Sequence, residues 1–273
     1  MPPESVSPEL VYEDAEMLVL YRPGASDYTL VTFGGLATRP EPGRFWAQPA
    51  VERLGLDALG FVAKRENWYP TASLRRAALA LAGIGRGRRL GYGHGMGGFA
   101  ALKHGRRLGL QRALAVSPPA SIDPAAVPWD RRYRSHFRAA LHPDMWLHRR
   151  DLAEWSAAIY DPWGSAEAGH GPLLAAAGAA LVAAPFLQGQ SIFLLGQAQV
   201  LRQALDRVWA RDAAGLRALL RWRRSRSPRW HQALAAVARR HDHPALAAAL
   251  EARATTLDNT GRRRVTSLAA KEA

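Results

Sequence analysis

Hydrophobic positions along the chain fall into two periods. Short apolar and β-branched runs at Met17–Tyr21, Thr29–Phe33, Leu56–Ala63, Arg112–Ser117, Ala157–Pro162 and Ala179–Pro185 read as strands, the first two divided by Arg22-Pro23-Gly24. Elsewhere apolar residues recur every three or four positions. Ala50–Leu54 reads as a short helix, Leu74, Ala78 and Leu81 mark one face of a second, and an amphipathic run reaches Leu108. Leu194, Ala198, Leu201, Leu205 and Val208 carry an apolar stripe at spacings of four, three, four and three. Strands alternating with helices predict a parallel sheet covered on both faces. The Ala-rich run Leu173–Leu187 is interrupted by Gly178 and Pro185. It falls short of the roughly 20 residues a membrane helix needs, and reads as a buried helix followed by a strand.

The densest glycine stretch, Gly91-Tyr92-Gly93-His94-Gly95-Met96-Gly97-Gly98, joins the short strand at Arg88-Arg89-Leu90 to the helix that continues through Phe99 and Leu102. A strand turning sharply through small residues into a helix is the setting of the nucleophile elbow G-x-S-x-G. In the register Gly93-His94-Gly95-Met96-Gly97 the serine position is Gly95. Positive φ there costs a side-chain-bearing residue roughly 1–3 kcal/mol and glycine nothing comparable, so a chain that keeps the turn without the nucleophile is stabilised by glycine. A plain strand-to-helix turn, or one offering backbone N–H groups to an anion, has the same composition. In an elbow arrangement Met96 donates one N–H to an oxyanion and the loop after an early strand donates another. Gly34-Gly35, at the end of Thr29–Phe33, fits that role and equally fits an ordinary loop.

Composition narrows the chemistry. The chain has 273 residues, enough for one large α/β domain or a domain with an appendage. Without cysteine it has no disulfide, catalytic thiolate or thiolate-ligated metal. His241 and His243 lack H-E-x-x-H or comparable spacing, so neither a metal nor a cofactor is expected. Met1–Ser7 has no basic flank or apolar core of a signal peptide, which predicts a cytoplasmic protein. The net charge of +14 suggests nucleic acid or an anionic membrane as partner. Lysine occurs only at Lys64, Lys103 and Lys271, however, and arginine is spread over every segment alongside Ala, Gly and Leu. A polyanion role is therefore looked for in the tail. There Arg221–Arg229 reads as a basic linker with Trp222, followed by helical stripes at Trp230, Leu234 and Val237 and over Pro244–Leu257, ahead of Gly261-Arg262-Arg263-Arg264. Arginines among tryptophans suit RNA, anionic lipid or an acidic protein, and a solvated helical hairpin explains the same residues. The expected division is a domain over 1–222 and a basic, Ala/Arg-rich helical extension over 223–273.

Several motifs in order carry a resemblance. Asn67-Trp68-Tyr69, Gly93 with Met96–Leu102, Ser117–Asp123, Asp130–Tyr133 and Tyr160-Asp161-Pro162 resemble bacterial esterase-like proteins of the α/β-hydrolase superfamily. In those the elbow reads G-x-S-M-G-G-[YF]-x-A-L and a G-H pair follows late. The resemblance covers residues 17–222. It implies an α/β-hydrolase-like fold, a mostly parallel central sheet with helices on both faces, plus a C-terminal helical extension. It also implies a serine nucleophile, a histidine base and an orienting acid. At the implied positions stand Gly95 and, for the G-H pair, Gly189-Gln190, and glutamine cannot cycle a proton. The acid loop keeps Asp161 and Glu167.

The expectation is a pseudoenzyme that binds a small acyl or glycan-like ligand or a protein partner, in the context of bacterial surface polysaccharide. Its ligand-binding set is Gly34, Gly35, Met96, Trp68 and Tyr69. The alternative is a serine-independent esterase in which His94 or His170 activates water, although His94 fits packing beneath the turn and His170 a helix start before Gly171-Pro172. Ser117 and Ser191 read as turn or cap residues. Trp129, Tyr133 and Trp163, with Arg131 and Arg132, join Trp68 and Tyr69 in loops at the carboxyl ends of the strands, as pocket walls or lid packing.

Overall fold

A computed structural model describes residues 7–269, with side chains as far as residue 259. In chain order the elements are β1 (Glu9–Glu13), β2 (Met17–Arg22), β3 (Thr29–Phe33), α1 (Gln48–Arg53), β4 (Asp57–Ala63), α2 (Thr71–Ala80), β5 (Arg89–His94) and α3 (Met96–Lys103). They continue with β6 (Arg112–Val116), β7 (Trp155–Tyr160), α4 (Glu167–Ala176), β8 (Ala180–Ala183), α5 (Ala198–Trp209), α6 (Ala213–Arg224), α7 (Pro228–Arg240) and α8 (Pro244–Ala269). The strands form one sheet in the order β1-β2-β4-β3-β5-β6-β7-β8. β2 runs antiparallel to both neighbours, and β4, β3 and β5–β8 run parallel to one another.

The pattern of burial explains the layers. β3 and β4 are buried at every position, as expected of parallel strands covered on both faces. On one face Leu74 and Ala77 of α2, Phe99 of α3 and Leu174 of α4 pack over Phe33, Phe61 and Ala115. On the other, Val51 of α1, Leu201 and Leu205 of α5 and Leu216 and Leu220 of α6 pack over Leu30, Tyr92 and Ile159.

Several boundaries differ from those expected. β1 carries no buried residue; as an exposed edge strand it lacks an apolar run to announce it. The helix after the elbow ends at Lys103, before Leu108. α4 begins at Glu167, so His170 is inside the helix, and Pro172 is accommodated within it. Arg221–Arg224 are not linker: they form the last turn of α6, which Asp212 caps by accepting from Gly215 N–H at 2.7 Å. Only Ser225-Arg226-Ser227 separates α6 from α7, so residue 222 falls inside a helix that belongs to the core. α8 runs past Leu257 to Ala269. No helix among the described residues is long and apolar enough to cross a membrane. The leader-free start read at Met1–Ser7 lies, up to residue 6, outside the described residues.

Candidate functional site

The order of the sheet reverses around β3 and β5: the chain leaves β3 for β4 on one side and β5 for β6 on the other. Such a switch point leaves a crevice at the carboxyl ends of the two strands, where α/β proteins bind ligands. Backbone strain collects along the same edge. Of eight non-glycine residues with positive φ among the described residues, five are here: Trp68 and Tyr69 beyond β4, Ser117 beyond β6, and Phe186 and Gln188 beyond β8.

Gly95 sits at the centre. Its φ of 55° and ψ of −115° make the sharp turn from β5 into α3, and its N–H donates to Val116 O at 2.9 Å. The flanking glycines let backbones meet: a Cβ on Gly93 would lie 2.2 Å from Gly97 O, and one on Gly97 2.2 Å from Phe33 O. A Cβ on Gly95 would meet nothing within 4 Å. The turn therefore has the shape of a nucleophile elbow, with open space where the nucleophile's side chain would project.

Backbone donors flank that space. Met96 opens α3, so its N–H has no intrahelical acceptor. Gly35 lies against the elbow, a Cβ there being 3.5 Å from His94 O, and its N–H makes no hydrogen bond among the described residues. Gly34 is different: its N–H donates to Phe61 O at 3.0 Å and its carbonyl accepts from the Tyr69 hydroxyl at 2.9 Å. Of the glycine pair, Gly35 is thus the one free to donate.

The sheet order, with an antiparallel β2 at one side and a sharp turn from β5 into α3, is that of an α/β-hydrolase-like fold. Similar solved structures include a capsule O-acetyltransferase of Neisseria meningitidis serogroup A, at 13% identity and TM-score 0.49 over 64% of this chain and 85% of that one. Mouse alpha/beta hydrolase domain-containing protein 10 matches at 11% identity and TM-score 0.48, over 74% and 99%. An esterase of Pyrococcus furiosus matches at 14% and 0.45, over 73% and 93%. No protein-family model and no curated protein matches the sequence.

The other residues singled out in the sequence are Asp161, Gln190, His94 and His170. Asp161 directly follows β7 and is fully buried, yet its carboxylate accepts from Trp163 N–H and Gln188 N–H, both at 2.9 Å. It braces two loops and meets no imidazole. Gln190 is exposed in the turn after β8. The residue that reaches this turn from the elbow is His94, whose Nε2–H donates to Gly189 O at 2.8 Å. Burial holds its pKa below the ordinary histidine value, leaving a neutral ring with the lone pair on Nδ1.

His170 is buried and committed at both nitrogens: Nδ1 accepts from Ala120 N–H at 3.1 Å, and Nε2–H donates to Asp130 at 2.9 Å. Neither nitrogen is open to water, so the ring acts as a strut between the β6 exit and the excursion that follows. Arg132 donates two side-chain bonds to the same carboxylate, at 3.0 and 2.9 Å. Burial alone would raise the Asp130 pKa, but the bonds from His170 and Arg132 outweigh it and hold the carboxyl well below the usual range. Asp130 and His170 stand forty residues apart in a chain with no local pattern to pair them.

Trp68 and Tyr69 are both buried, Trp68 packing edge-on against Phe99 and Tyr133, and Tyr69 against Phe33. They pack inside the loop that follows β4. Trp129 and Trp163 are the exposed aromatics of the expected group, Trp163 at 71% and stacked with Phe186. Beneath the edge, Ser117 Oγ, Glu167 Oε1 and Ser191 Oγ are buried without a hydrogen-bond partner. Burial raises the Glu167 pKa, and the charge of Asp161 acts in the same direction.

The tail also reaches this end of the molecule. Trp230 Nε1–H donates to Pro185 O at 3.1 Å and Arg223 Nε–H to Leu194 O at 3.2 Å, pinning the α6–α7 turn to the segment after β8.

Proposed function

We propose that this α/β-hydrolase-fold protein is a pseudoenzyme that binds a small acylated or glycan-like ligand at the crevice between β3 and β5 and does not hydrolyse it. The observation that carries the reading is Gly95, an elbow residue with the turn's backbone geometry, open space above it and no side chain to attack with. Gln190 offers no base, Asp161 is spent on backbone amides, and His170 is closed off on both nitrogens. Donors without a nucleophile suit binding: Gly35 and Met96 N–H groups match a carbonyl or carboxylate oxygen at the position an oxyanion would take. The sequence resemblance supports a setting in bacterial surface-polysaccharide handling. Titration of the 15N-labelled protein with O-acetylated sugars and short acyl esters tests the reading. Saturable shifts of the Gly35 and Met96 amides are expected with at least one ligand; no shift at either amide across the panel would contradict it.

A second reading rests on the turn between α6 and α7. None of Arg221, Arg223, Arg224, Arg226 and Arg229 forms an ion pair among the described residues, and Arg226 and Arg229 lie over the half-exposed rings of Trp222 and Phe193 at 4.8 and 3.8 Å. Stacked, unpaired guanidiniums beside exposed aromatics fit a nucleic-acid or anionic-membrane partner. Binding of single-stranded RNA or anionic vesicles that falls steeply with salt and is lost in Arg226→Gln/Arg229→Gln would support it; binding unchanged in that variant would reject it.

A further inference from the structure

A cavity of about 550 Å³ lies between the first turn of α2, the end of α3 and the segment leading into β7. Five cationic side chains line it and only two carboxylates do. Both carboxylates are already engaged. Lys103, 2% exposed, donates from Nζ to Asp144 and Asp151 at 2.9 Å each and to Trp146 O at 2.7 Å, which uses all three of its protons. Asp151 also accepts from His148 N–H at 2.9 Å, and His148 Nε2 stands 3.7 Å from the other oxygen of Asp144.

The other four cations lining it are arginines with no carboxylate within ion-pair distance among the described residues: Arg75 from α2, Arg106 and Arg107 from the turn after α3, and Arg150; Arg107 is half-buried and the other three are exposed. Arg107 is aimed by a buried relay. Tyr69 O accepts from His104 Nε2–H at 2.9 Å, which leaves the lone pair on Nδ1 to accept from Arg107 Nη1–H at 2.8 Å. His104 stays neutral near physiological pH, its pKa pushed down to about 3 by burial and by the adjacent Arg107 charge. The guanidinium is thus oriented before any ligand arrives, and such preorganisation lowers the cost of binding.

Like charges gathered around a cavity repel, and an anion between them removes that repulsion. We propose that this cavity binds the diphosphate group of a small phosphorylated ligand. The guanidinium fork matches phosphate oxygens in pairs. A local excess of three positive charges exceeds the roughly two negative charges of a single phosphate and is met by two joined ones. The volume lies in the range of small-molecule sites. This site shares no residue with the crevice at Gly95 and stands or falls independently of it.

Calorimetric titration of the full-length protein with pyrophosphate, ADP and orthophosphate, at about 0.15 M salt to screen loose surface binding, tests the proposal. Pyrophosphate and ADP are expected to bind at one site per chain, about tenfold or more tighter than orthophosphate. Equal affinity of the two assigns recognition to the diphosphate alone, and tighter ADP assigns a nucleoside diphosphate. Arg75→Gln/Arg150→Gln, or Arg106→Gln if that pair fails to fold, is expected to weaken binding about tenfold or more. Arg217→Gln/Arg240→Gln, which lowers the net charge as much on exposed helix surface, leaves it unchanged. Absence of binding, equal affinity for orthophosphate and pyrophosphate, or an equal loss in the surface variant would overturn the proposal.

Discussion

The glycines of the elbow answer to different constraints, and substitution separates them. Gly93 and Gly97 are held by contact, since a methyl group on either would collide with a main-chain oxygen at 2.2 Å. Gly97→Ala is expected to cost about 3 kcal/mol or more, because backbone and not a flexible side chain must give way. Gly95 is held by conformation alone. Gly95→Ser is expected to fold and to lose about 1–3 kcal/mol, the cost of a side chain at positive φ. Denaturant unfolding of the two variants checks the contrast; equal losses would contradict it. Titration adds a second test at this scale. His104 titrates near 6.5 when unfolded and at about 3 in place. As pH falls the unfolded chain takes up its proton first, so stability present above pH ~6.5 drains away towards about pH 3. Asp130, depressed by its bonds to His170 and Arg132, adds a further loss below about pH 4. Unfolding of wild type and His104→Gln at pH 7 and pH 4 reads this out: the variant should lose less between the two, and an identical loss would contradict the assignment.

Elements were legible from sequence where burial imposed a pattern. The parallel strands β3, β4 and β6 are mostly apolar and almost wholly buried and stood out as runs, and Gly93–Gly98 marked the strand-to-helix turn by its small residues. β1 has no buried residue and α6 hides its stripe of Leu216, Leu219 and Leu220 among arginines, so neither announced itself. Site residues were legible only where chemistry depends on neighbours in sequence. Gly95 and Met96 lie at the strand-to-helix turn that their sequence neighbours mark; the bond from His94 to Gly189 and the pairing of His170 with Asp130 depend on how distant loops meet. The inward packing of Trp68 and Tyr69, Trp68 against Tyr133 from the excursion after β6, likewise depends on distant segments meeting. The correction at α6 has a measurable consequence. Leu220→Ala, at 1% exposure, is expected to cost about 2–5 kcal/mol, as for a core leucine, whereas Leu246→Ala, exposed on α8, should stay within about 0.5 kcal/mol. Similar small losses for both would place α6 outside the cooperative core.

At the scale of the molecule, strand order, elbow and tail converge on one end of the sheet. The strand order reverses at β3 and β5, five residues at positive φ lie along that end of the sheet, and the α6–α7 turn is bonded to the segment after β8. Asp161, which in a triad would orient a base, instead ties β7 to that segment through Gln188 N–H. On the reading proposed above, the scaffold carries Gly95 at its strand-to-helix turn, and Asp161 and His170 hold loops in place. The most direct measurement is the rate at which purified wild-type protein hydrolyses p-nitrophenyl esters and O-acetylated sugars between pH 6 and 9. The account predicts a rate indistinguishable from buffer at saturating substrate. Turnover at about 1 per second or faster, abolished by His94→Ala, would contradict it and make His94 the base of a serine-independent esterase.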